Sequence, residues 1–194
     1  MKATHYVLMG LLVIGLTVSC SSQDNRPPED VVREWTDALK ATDFAKMAAV
    51  MHPEALAEFK EILLPVMQGF QESIAQDTSG VAQVPDSLKQ QLQGISELAP
   101  EQFYPQAMTV LTSIVPDLRQ SLGDLNSTVL GSVAEGDSLT HVVRRTQASY
   151  MGQQMISDVD VVSVKRSNGN WRILLTGNIR GLAEGIRGAF FGRG

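Results

Sequence analysis

Few residues in this chain can do chemistry. It holds a single cysteine, Cys20, and three histidines among 194 residues. A lone cysteine can be half of an intermolecular disulfide, a metal ligand, a nucleophile or an acylation site. The other concentration of reactive groups lies late in the chain, where His141, Arg145, Asp158 and Asp160 are spaced among apolar residues. A histidine held beside an aspartate can serve as an acid/base pair or as the polar anchor of a pocket, and an Arg–Asp neighbour can be a plain ion pair. His52 stands before a proline at a helix junction and reads as a surface or capping residue. There is no G-x-S-x-G elbow and no glycine-rich phosphate loop, so neither a serine-hydrolase nor a nucleotide motif is present.

What Cys20 does is decided by its surroundings. The run from Tyr6 to Val18 carries no charge and follows Lys2, and small residues from Thr17 to Ser22 surround the cysteine. That is the pattern of a secretory signal, and the run is shorter than the roughly 20 residues a membrane span requires. The residues "LTVSC" resemble the lipobox of bacterial lipoproteins. This resemblance implies cleavage before Cys20 and thioether acylation of its sulfur, which gives a palmitate-type anchor in the membrane. Ser21 in the next position implies the outer membrane, facing the periplasm. Residues 1–19 are thus expected to be a signal peptide, and residues 20–27, "CSSQDNRP", a polar tether.

With Cys20 committed, no thiolate chemistry remains for the rest of the chain, and no metal or other cofactor is expected. The net charge of −5 argues against nucleic acid as a partner. Basic residues do gather in the last thirty positions, among them Lys165, Arg166, Arg172 and Arg180, which places positive charge where it could meet lipid phosphates.

Pro28, followed by Glu29 and Asp30, opens a helix, because proline suits the first helical position and acids suit the first turn. Val31, Val32, Trp35 and Ala38 then recur at helical spacing. "FAKMAAVM" is a short second helix closed by His52-Pro53. "PEALAEFKEILLPVMQGFQESI" is a third, with its stripe at Leu56, Phe59, Leu63 and Met67 and a kink expected at Pro65. Residues 77–87 read as an exposed connection, with helices over "LKQQLQGISEL", "PEQFYPQAMTVLTSIV" and "PDLRQSLGDL" to follow. Trp35, Trp171 and Tyr104 are assigned to the core or a pocket wall.

From Ser127 the period becomes two, and Asn168-Gly169 marks a tight hairpin turn. That turn pairs Arg166 with Trp171 and Val164 with Ile173. A second hairpin centred on Met151-Gly152 sets Leu139, His141, Val143 and Arg145 opposite Val164, Val162, Asp160 and Asp158. On this register His141, Asp160, Arg145 and Asp158 form one cluster on the inner face, at the edge of the core. A glycine-broken helix is expected from Asn178 onward. Helices first and hairpin-linked strands last mean an α+β fold: N-terminal helices on a curved antiparallel sheet of about four strands.

The segments "VVREWTDALKATD", "MHPEAL", "LTHVVRRT", "DVDVVSVKR" and "NGNWRIL" together resemble the nuclear transport factor 2-like superfamily, the cone-shaped fold shared with ketosteroid isomerase. Residues 28–194 then form one domain, with a largely helical insertion around 58–126. The isomerases' catalytic set does not map onto this chain. The expectation is a membrane-tethered module that binds a small apolar ligand or a protein partner without catalysis. Two alternatives stand beside it: an isomerase- or hydratase-like enzyme using an inward acid and His141, and a structural subunit that forms a homodimer through its sheet.

Overall fold

A computed structural model describes residues 26–75, 85–150 and 153–174. Cys20, the signal segment, the Met151-Gly152 hairpin centre and the helix expected from Asn178 lie outside the described residues. Among the described residues six α-helices precede four strands: α1 Pro28–Lys40, α2 Phe44–Val50, α3 Pro53–Ala75, α4 Asp86–Leu92, α5 Pro100–Ile114 and α6 Pro116–Gly123, then β1 Leu125–Glu135, β2 Leu139–Tyr150, β3 Gln153–Ser167 and β4 Asn170–Ile173. The strands form one open antiparallel sheet in the order β1-β2-β3-β4. The fold is α+β, as the change of period at the strand region requires.

Each helix is placed by its buried stripe. In α1 that stripe is Val31, Val32, Trp35 and Ala38. α1 ends in a left-handed turn: Asp43 N–H reaches Ala38 O at 2.8 Å and Thr42 N–H reaches Leu39 O at 3.0 Å, with Thr42 at φ 54°. Asp43 then accepts from Lys46 N–H at 3.0 Å and so caps α2. α3 runs unbroken through Pro65 and buries Leu56, Phe59, Leu63 and Met67, all four members of the expected stripe. Phe59 packs on Tyr104 at 4.5 Å between ring centroids, which joins α3 to α5. The expected helix "LKQQLQGISEL" stops early, because Gly94 takes a left-handed φ of 69° and a 3-10 turn over Ile95–Glu97 follows.

The inner face of the sheet closes the core with Val142, Val162, Val164 and Ile173, none more than 2% exposed. The β3–β4 turn has both Asn168 and Gly169 at positive φ, 52° and 81°, the geometry Asn-Gly favours in a two-residue hairpin. Its register is the expected one, Val164 with Ile173 and Arg166 with Trp171.

β2 departs from expectation. At the hairpin end Tyr150 pairs with Gln153 and Ser149 with Gln154, but Ala148 pairs with Ile156, so Met155 is an extra residue in β3. This bulge slips β2 by one place against the rest of β3, giving Val142 opposite Val162 and Arg144 opposite Asp160. A one-residue slip turns every side chain to the other face. Leu139, His141, Val143 and Arg145 therefore lie on the outer face, and Thr140, Val142 and Arg144 point inward. A second bulge, at Leu130 in β1, lies between the Val129–Arg144 and Gly131–Val143 pairs.

Candidate functional site

The four residues expected to cluster do not come together. Asp160 faces inward, but its partner is Arg144, not Arg145: Nε and Nη2 of Arg144 each donate to a carboxylate oxygen at 2.8 Å. Nη1 of Arg144 also donates to Thr36 Oγ1 at 3.2 Å, and the guanidinium lies 5.3 Å from the centre of the Trp35 ring. Arg144 is only 8% exposed. The pair thus clamps α1 to the middle of the sheet, and Trp35 is a core wall beside it. Two buried polar atoms on this inner side, Trp35 Nε1 and Thr146 Oγ1, have no hydrogen-bond partner among the described residues. Arg145 is exposed on the outer face, and Asp158 is exposed, with its carboxylate accepting from the Val159 N–H at 2.8 Å.

His141 sits on the outer face with 31% of its side chain exposed. Its Nδ1 lies 2.9 Å from Ser163 Oγ and its Nε2 lies 2.7 Å from a Glu135 oxygen. A serine, histidine and carboxylate in series have the order of a nucleophile, base and orienting group. Ser163, however, is a ladder residue of β3: it pairs with His141 in β2, and its carbonyl accepts from the Leu174 N–H at 2.8 Å. The trio ties β1, β2 and β3 together across that face. Four large apolar side chains of the sheet are exposed: Leu130 is 50% exposed, Val133 63%, Val159 52% and Val161 49%.

A second region was not foreseen. An open groove of about 540 Å³ lies where α2, the start of α3 and the β3–β4 hairpin meet. Ala45, Ala48 and Ala49 of α2 line it, and their small side chains leave the space. Met51, Pro53 and Leu56 complete the apolar part. The hairpin contributes Ser167, Asn168, Asn170 and Arg172, and α5 contributes Glu101. The only sequence signal was the run of alanines on one side of "FAKMAAVM", which reads equally well as helix propensity.

At the groove's end His52 caps α3, its ring Nδ1 accepting from Glu54 N–H at 3.2 Å, while the His52 backbone N–H donates to Ile173 O at 2.8 Å. His52 is a buried capping residue, not a surface one. Burial holds its imidazole below the ordinary value of 6.5. The Glu54 carboxylate opposes that shift, and the Lys165 and Arg172 charges add to it. The Lys165 ammonium hydrogen-bonds both oxygens of Glu54, at 3.0 and 3.1 Å, and lowers the Glu54 carboxyl from its ordinary range. Trp171, half-buried against the core, carries the Arg166 guanidinium 4.4 Å from its ring centre, and Arg166 Nη1 also donates to Gly169 O at 2.9 Å.

Among the described residues no group of three or more His, Cys, Asp or Glu is placed to hold a metal ion, and no helix is long and apolar enough to cross a membrane. The groove offers an apolar floor with polar groups at one side, the layout usual for ligand sites. The chain matches no protein-family model, no curated protein and no solved structure.

Proposed function

We propose that this chain is a lipid-tethered binding module of the bacterial envelope. In this reading Cys20 carries a diacylglyceryl anchor in the outer membrane, and residues 20–27 hold the domain in the periplasm. More than one acyl chain is needed for stable anchoring, which the lipobox resemblance supplies. The domain itself, read as nuclear transport factor 2-like, takes a small apolar ligand or a segment of a protein partner without catalysis. The observation that carries the binding reading is the open groove of about 540 Å³ at the α2–hairpin junction, within the range of about 300–1,000 Å³ usual for ligand sites. The acid–histidine arrangement of the enzyme alternative lacks support, because His141 and Asp160 lie on opposite faces of the sheet.

The test has two arms. Cys20→Ser should abolish membrane association in cell fractions, and membrane retention by that variant would sink the tether. Native mass spectrometry of protein extracted from membranes should find a bound molecule, and Ala48→Trp, which fills the groove, should remove it. A molecule still bound to Ala48→Trp would move the site elsewhere.

The exposed outer face supports a second reading, assembly through the sheet. Leu130, Val133, Val159 and Val161 are large apolar residues left about half exposed on the sheet, and exposed apolar patches mark protein contacts. If two copies meet there, Val161→Asp converts a dimer to a monomer in analytical ultracentrifugation. A wild-type protein that sediments as a monomer at every concentration tested would reject it.

A further inference from the structure

The hairpin bordering the groove concentrates positive charge. Lys165 and Arg172 are directly paired across β3 and β4, and like charges facing each other across strands destabilise a sheet unless they are neutralised. Lys165 is neutralised by Glu54, as its two hydrogen bonds show. Arg166 is occupied by the Trp171 ring and the Gly169 carbonyl. Arg172 is different. It lines the groove, and among the described residues its guanidinium makes no hydrogen bond or ion pair.

Resting on the binding reading above, we propose that the groove is a site for a free, single-chain amphiphile with a carboxylate head, its head group paired with Arg172 and its tail laid along Ala45, Ala48, Ala49 and Leu56. A guanidinium pairs with a carboxylate through two parallel N–H···O bonds, a geometry an ammonium cannot supply. The acceptor-poor alanine face of α2 gives the tail apolar surface and no hydrogen-bonding competitor. Ser167 and Asn168, on the same hairpin, add hydrogen-bonding groups beside the head. Glu101, the other charged residue of the lining, comes from α5 and repels an anion, so it favours the orientation with the head toward the hairpin. An amine head would choose Glu101 instead.

The experiment uses the acylated full protein in phosphatidylcholine nanodiscs and three photoreactive probes with the same twelve-carbon tail, ending in a carboxylate, an alcohol or an amine. A diazirine on the tail allows labelled peptides to be mapped by mass spectrometry. Expected is labelling of the segment from Ala45 to Leu56, with the carboxylate probe about tenfold more efficient than the alcohol, since a charge-assisted pair is worth about that factor. Arg172→Gln should bring the carboxylate down to the alcohol's level and leave the alcohol unchanged. Equal labelling by carboxylate and alcohol, or preference for the amine, overturns the carboxylate assignment and leaves the groove as a binding site. No labelling of that segment by any probe overturns the groove reading itself. A preference that survives Arg172→Gln shows that the head group is held elsewhere and also refutes the proposal.

Discussion

Replacing Asp160 by alanine should cost the fold about 3 kcal/mol. Two charge-assisted hydrogen bonds at 2.8 Å join Asp160 to Arg144, and each such bond contributes about 1.5–3 kcal/mol. Removing one member of a buried pair leaves the other charge without compensation, at about 3–5 kcal/mol. Here the cost falls at the low end, because 18% of the Asp160 side chain is exposed and Arg144 keeps Thr36 and the Trp35 ring. With a urea m-value of about 2 kcal/mol/M, the midpoint should fall by about 1.5 M. The double variant Arg144→Met/Asp160→Leu should recover most of that loss, since an apolar pair of similar size avoids desolvating two charges. Arg145→Ala, one residue along on the outer face, should stay within about 0.5 kcal/mol of wild type. Urea unfolding followed by Trp fluorescence reads all three. An Asp160→Ala midpoint equal to wild type, or an Arg145→Ala loss as large as that of Asp160→Ala, would refute the register and the clamp together.

His52 should make stability depend on pH. Its folded pKa lies below 6.5, so the unfolded chain binds the extra proton first, and stability should fall as pH drops below about 6.5. His52→Asn, which can still cap α3, should remove that slope in urea midpoints measured from pH 5 to 8; an unchanged slope would assign the effect elsewhere. Thr42→Gly should raise stability by about 1 kcal/mol, because a β-branched residue at φ 54° occupies the position glycine favours after a helix; a lower thermal midpoint would contradict this. Deleting Met155 should yield a folded protein in which Val142 still faces Val162, since the deletion removes only the bulged residue. Cross-strand Hα–Hα nuclear Overhauser contacts between His141 and Val162 would show the opposite outcome.

Wherever one face of an element is apolar and the other polar, the sequence was readable. α1 and α3 carry single stripes whose members are buried as expected, and Asn168-Gly169 specifies a turn that fixes the β3–β4 register without help from the core. Pro28, Pro53, Pro100 and Pro116 each open a helix, as a residue with fixed φ and no N–H should. The groove was not readable. It comes from three elements distant in sequence, and the alanines that make room for it carry no chemical signature. Arg172 looked like one more exposed cation until the partners of Lys165 and Arg166 were known.

The β2 register was lost for a different reason, the degeneracy of the local sequence. Val142-Val143 and Arg144-Arg145 are doublets, so slipping β2 by one place exchanges valine for valine and arginine for arginine on the inner face. Over these four residues apolar burial, which usually sets register, is unchanged by the slip. The choice falls to what lies opposite. Without the bulge His141 would face Val162 and Val143 would face Asp160, which buries an imidazole against a valine and leaves an inward carboxylate opposite a side chain that cannot donate. With it, Val142 meets Val162 and Arg144 meets Asp160. One unpaired residue in the ladder costs about the 0.5–1.5 kcal/mol of a hydrogen bond, and the Arg144–Asp160 pair offsets it with two charge-assisted ones. Met155 is therefore the residue by which the hairpin turn and the inner-face pairing, each favouring its own register, are reconciled. The displacement of His141 to the outer face is the consequence.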